Sequence, residues 1–139
     1  MNSYTVAVKS KDRINGTFSN FEIKFGQFLP NDKTVFKCRV SAMTLEKNNL
    51  SNSMNINNFE VLSIILTANF PFLNYRSTTG NKYPIAIINY YMDYQTNEFL
   101  TSNVNQQTIN FKYIDSQDVL VSTDYITETV IVLTFEAIE

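Results

Sequence analysis

No histidine occurs anywhere in the 139 residues. That removes the usual general base, the commonest metal ligand and every histidine-dependent triad. The single cysteine, Cys38, lies in the alternating run Phe36, Cys38, Val40 and reads as a small core residue. A nucleophilic cysteine needs a basic partner in a partly exposed site, and a lone one excludes an internal disulfide framework. Paired carboxylates can run a glycosidase without histidine. Here Glu22, Glu60 and Glu128 fall on or beside strand-like runs, where outward charge means a solvated face. Asp115, Asp118 and Asp124 suggest calcium, but "DSQDVLVSTD" lacks the dense oxygen spacing and central glycine of a calcium loop. Gly16, Gly26 and Gly80 stand isolated, so no phosphate-cradling loop is present. The tyrosines Tyr75, Tyr90, Tyr91 and Tyr94 could stack sugars or bases, and equally suit strand packing at an interface rim. Nothing reads as catalytic; the expectation is a non-enzyme without cofactor or metal.

One stretch stands apart. In "VKSKDRINGTFSNFEIKF", residues 8–25, the cations Lys9, Lys11 and Arg13 crowd around Asp12 ahead of an Asn15-Gly16 dipeptide and an alternating strand. The dipeptide reads as a bend. Lys9, Lys11, Asp12 and Arg13 are candidate contact residues, with Asp12 expected to pair with Arg13. The plain alternative is a solvated turn in which Arg13 braces the Asn15-Gly16 bend.

The elements that position these residues show period two almost throughout. Tyr4, Val6 and Val8 share one face of 3–9; Phe21, Ile23 and Phe25 share one face of 18–25, with Glu22 and Lys24 outward. Over 34–45 the pattern places Phe36, Cys38, Val40 and Ala42 inward and Lys37, Arg39 and Ser41 outward. Further strands are predicted over 59–68, over 83–92 with Pro84 at its first position, weakly over 98–101, over 107–114 and over 127–137. The last two turn Ile109, Phe111, Tyr113 and Ile131, Leu133, Phe135 inward. Loops rich in Asn and Ser separate them. About eight strands with Greek-key-sized connections predict an all-β, antiparallel β-sandwich: a single jelly roll over residues 1–139, with another sandwich topology as its rival.

Composition agrees with one ordered domain: 44% of residues are hydrophobic and 17% charged. Net charge is −2, but residues 1–47 carry eight cations against four acids and residues 48–139 three against nine. A pI near 5.1 argues against nucleic acid as the main partner. The longest apolar run, "VLSIILTANFPFL", is polar-interrupted and far short of the ~20 residues of a spanning helix. No signal peptide is read at the amino terminus, so the expectation is a protein made in the cell interior without a membrane span.

The order Ser10, Asp12-Arg13, Gly16-Thr17, Ser19, Phe21, Ile23 resembles a motif near the amino terminus of small jelly-roll capsid proteins. These belong to eukaryotic double-stranded DNA viruses and their virophage and polinton-like relatives. "NDKTVFKCRVSAMTLEKN" is similar to that family's long next strand, and "ETVIVLTFEAIE" to its closing strand. The resemblance implies a structural protein of the virion, above all the penton at five-fold vertices: a homopentamer beside the major capsid protein. Otherwise it implies a minor capsid protein under or between capsomers, touching other minor proteins. On this view Lys9, Lys11, Asp12 and Arg13 meet acidic loops of a neighbouring subunit or of the major capsid protein, with packaged genome as a third option. A non-catalytic carbohydrate-binding β-sandwich is the rival from another class.

Overall fold

Apolar residues at period two cannot bury one face without a second sheet to cover it. The computed structural model describes residues 2–47, 64–73, 84–88, 94–115, 118–121 and 126–138. Its elements are β1 (Ser3–Lys9), a 3-10 turn (Ser10–Asp12), β2 (Asn15–Gly16), β3 (Asn20–Lys24) and β4 (Val35–Lys47), followed by β5 (Ile64–Ala68) and β6 (Pro84–Ile88). Then come β7 (Tyr94–Thr96), β8 (Phe99–Ser102), β9 (Thr108–Ile114) and β10 (Ile126–Ala137). The predicted strand residues 59–63, 83 and 89–92 lie outside the described set.

Pairing runs inward from the two ends of the chain: β1 with β10, β3 with β9, β4 with β8, β5 with β6, all antiparallel. This is one long hairpin. It is rolled so that β10 also meets β4 and β9 also meets β5. The sheets are therefore β1-β10-β4-β8 and β2-β3-β9-β5-β6-β7, and β2 and β7 are short additions at the borders of the second. That order is a jelly roll, so the rival topology falls.

The predicted inward residues Phe21, Ile23, Phe25, Phe36, Cys38, Val40, Ile109, Phe111, Tyr113, Ile131, Leu133 and Phe135 are all buried. Ala42 is not; it is exposed. Along the β4–β10 ladder Leu133 faces Val40 while Val132 faces Ala42, so Ser41 is an extra residue without a counterpart. Such a bulge flips the alternation downstream, turning Ala42 outward and Met43 and Leu45 towards the core. Ser41 is held there by donating to the Val132 carbonyl at 3.3 Å and accepting from Thr134 Oγ1 at 2.9 Å.

Between the sheets the core is aromatic. Phe70, two residues beyond β5, has its ring centroid 5.2–6.4 Å from those of Phe25, Phe72, Phe99, Phe111 and Phe135. At the same end, Asn105 gathers loop 26–34: its Oδ1 accepts from Phe28 N–H and Leu29 N–H, and its Nδ2 donates to the Leu29 carbonyl.

Phe70→Ala is expected to cost about 3–5 kcal/mol, because five rings border the hole it leaves. Urea denaturation checks this; a loss below about 1 kcal/mol, typical of a surface site, would show that the rings do not depend on Phe70.

Candidate subunit-interface site

At Lys9 the first strand leaves its ladder, and the chain must settle the groups left behind. Lys9 faces Val130 in the last β1–β10 pair, so the next amide on β10, that of Thr129, loses its backbone acceptor. Ser10 replaces it: fully buried, its Oγ accepts from Thr129 N–H at 3.0 Å. Thr129 carries the connection further. Its hydroxyl donates to the Thr44 carbonyl at 3.1 Å, which leaves its oxygen to accept from the Tyr113 hydroxyl. Tyr113 belongs to β9 in the other sheet, so this bond ties the two sheets through the core. Burial pushes the Tyr113 phenol well above its ordinary pKa, against the weaker pull of the Thr129 bond.

Arg13 turns back on its own loop. Its Nε donates to the Gly16 carbonyl at 3.0 Å and its Nη1 to the Ser10 carbonyl at 3.1 Å, while its guanidinium lies 4.5 Å from the Phe18 ring centroid. The expected Asp12–Arg13 pair does not form; among the described residues the ion pair is Lys37–Glu98 at 3.9 Å, both ends well exposed. Nor is Asn15-Gly16 the bend. It is β2, paired with Phe21 and Glu22 of β3, and the chain reverses over 17–20 with Thr17 N–H donating to the Asn20 carbonyl at 2.8 Å. Gly16 is demanded here: its φ is +99°, and a Cβ would lie 2.1 Å from the Asn20 carbonyl oxygen.

The four candidate residues thus divide. Arg13 is half-buried and braces its own loop through the Ser10 and Gly16 carbonyls, as in the plain alternative except that the bend lies at 17–20, whereas Lys11 and Asp12 are exposed and Lys9 is half-buried. Lys9 and Lys11 line a shallow recess with Glu128, Thr129 and Val130. The charge asymmetry of the sequence does not become two charged sides, because β1 and β4 alternate with β10 and β8 in one sheet.

Two of the other candidates, Cys38 and Asp115, resolve into structural roles. Cys38 is buried, and loss of water raises its thiol pKa far above the usual range, the nearby Arg39 charge opposing only weakly. Asp115 is a turn former: its carboxylate accepts from Val119 N–H at 2.9 Å. Among the described residues no three acidic or cysteine side chains converge as a metal site would require, and no helix is long and apolar enough to cross a membrane. Glu60, Tyr75, Tyr90, Tyr91 and Asp124 lie outside the described residues. Sequence reasoning missed Thr129, whose only signal is a threonine on an otherwise apolar inward face, and the Thr44 carbonyl, a backbone group on an exposed residue that leaves no mark in the sequence. A scan against protein-family models and a search of curated proteins find no match to this chain.

Two serines of the opening motif offer a paired test. Ser10 satisfies a buried amide, whereas the fully buried Ser19 Oγ has no hydrogen-bond partner. Ser10→Ala is expected to cost about 1–3 kcal/mol and Ser19→Ala to be neutral or stabilising. Equal losses in thermal unfolding would contradict the assignment.

Proposed function

We propose that this chain is a structural virion protein, a jelly roll that works by assembling into a capsid rather than by turnover. The observation that carries the reading is the coincidence of fold and motif. The strand order is a jelly roll, and Ser10, Arg13 and Gly16, on which the likeness to small capsid proteins rests, are the residues that close its first corner. Jelly rolls also serve lectins and cupins, so fold alone does not decide. The residues left exposed at this corner, Lys11 and Asp12, with Lys9 beside them, form a charged rim suited to contact with another chain. Cys38 and Tyr113, whose side chains carry a thiol and a phenol, are sealed in the core.

Two placements follow. The resemblance implies the five-fold vertex, where a homopentamer uses two unlike sides of each subunit and touches the major capsid protein. A minor position between capsomers is favoured by one observation, the border of β1 left uncovered among the described residues and treated below, which closes on pairs and not rings. Of the tyrosines named for the carbohydrate-binding rival, Tyr94 is exposed and the other three lie outside the described residues.

Light scattering on the purified protein, across concentration and salt, tests the reading. Assembly predicts a discrete oligomer and no binding on a glycan array. Five copies would favour the vertex and two the minor position; a monomer at every concentration that binds glycan would contradict the capsid reading.

A further inference from the structure

The four-stranded sheet has two borders, and the chain treats them differently. At β8 the border is covered: Leu73 N–H donates to the Leu100 carbonyl at 2.9 Å, Ser102 N–H to the Pro71 carbonyl at 3.1 Å, and Phe72 bridges Thr101. At β1 no described residue does the same; its seven residues pair with β10 on one side only. Alternate amides and carbonyls of β1 therefore point off the sheet. Natural borders of this kind are guarded by proline, a bulge or inward charge. β1 has no proline, its register with β10 is unbroken, and its single charge is Lys9 at the last position.

The rest of the fold restricts what a second copy can offer. Its β8 is covered, which blocks the head-to-tail addition that would build fibres. The borders of the six-stranded sheet, β2 and β7, are two and three residues long and cannot match seven. Among the described strands, the one that fits β1 is another β1.

We propose that two copies of this chain pair through β1, antiparallel about a two-fold axis on Val6, fusing two four-stranded sheets into one of eight. Residues directly opposite each other share a face of the sheet, so the axis must fall on a residue and not between two. An axis on Val6 uses the whole strand: Ser3 opposite Lys9 of the second copy, Tyr4 opposite Val8, Thr5 opposite Ala7, Val6 opposite Val6. Three observations agree with this register. On the inner face Tyr4 and Val6 are only half-buried in one copy and gain apolar neighbours. On the outer face Thr5 and Ala7 are exposed and small, so nothing obstructs the approach.

Charge gives the third. Ser3 already faces Glu136 across the ladder. Lys9 of the second copy and Glu136 then flank a short serine on the same face, about 10 Å apart at the backbone and within side-chain reach. The two lysines sit at opposite ends of the contact, about 20 Å from each other along the strand. The geometry stands without the capsid reading; that reading only supplies its setting, a pair of minor proteins between capsomers.

A Val6→Cys variant tests the pairing. Opposed Cα atoms across such an axis lie about 4.5–5.5 Å apart, within disulfide range. Cys38 is buried, so the new thiol is the one that can react. Mild oxidation is expected to give a covalent dimer from Val6→Cys and none from Arg39→Cys, which is exposed on the same sheet but away from the contact. The unaltered chain should scatter as twice its 16.0 kDa, and Ala7→Lys, an exposed substitution, should halve that mass while still melting cooperatively. A monomeric parent, or Val6→Cys that cross-links no faster than Arg39→Cys, overturns the pairing. A five-copy mass without the Val6→Cys cross-link also overturns it, and leaves the capsid reading standing.

Discussion

A rolled hairpin stays rolled only if its two sheets are held together across their whole area, and in this chain aromatic rings hold them. Phe70 sits in the gap, touching Phe111 and Phe25 from one sheet and Phe99 and Phe135 from the other. Phe21 stacks on Phe111 at 5.5 Å within the second sheet, and Phe28 meets Phe135 edge to face at 5.4 Å across the gap. Rings of this size fill the roughly 10 Å between packed sheets with few side chains. Farther along the core the Tyr113–Thr129 hydrogen bond replaces ring packing as the tie. The polar atoms of that tie are satisfied in sequence, Tyr113 to Thr129 to the Thr44 carbonyl, which is the condition for burying them at all.

This changes what the opening cluster of charge means. A stretch dense in lysine, arginine and aspartate invites a ligand. Yet most of its side chains resolve the departure of β1 from its ladder: a serine in place of a lost carbonyl, an arginine folded over two carbonyls and a ring, a glycine at positive φ. What remains for partners is a narrow rim of Lys9, Lys11 and Asp12. A charged cluster can therefore serve mainly to close a fold, and its exposed residue types are a separate matter.

Much of the architecture was legible in the sequence, because half-buried antiparallel strands alternate and these do so cleanly over Phe21–Phe25, Ile109–Tyr113 and Ile131–Phe135. The misses have physical causes. Ala42 was misplaced because a bulge at Ser41 leaves no mark in a run of alternating residues. Asn15-Gly16 was read as a bend because that dipeptide favours one, while the close approach of Asn20 makes it an edge instead. Phe70 lies in an apolar run without periodicity, and Asn105 acts on residues 76 and 77 positions away, where no local rule reaches. Of the four candidate contact residues, the sequence supplied the rim but could not tell that Arg13 was already engaged.

The proposed pairing depends on a jelly roll whose β8 border is covered and whose β1 border is left uncovered among the described residues. Hydrogen exchange of the backbone amides, followed by mass spectrometry at low and high protein concentration, reads this most directly. If copies pair through β1, residues 3–9 gain protection as concentration rises while the β8 border, residues 99–102, stays unchanged. Exchange that is the same at both concentrations along β1 would contradict it.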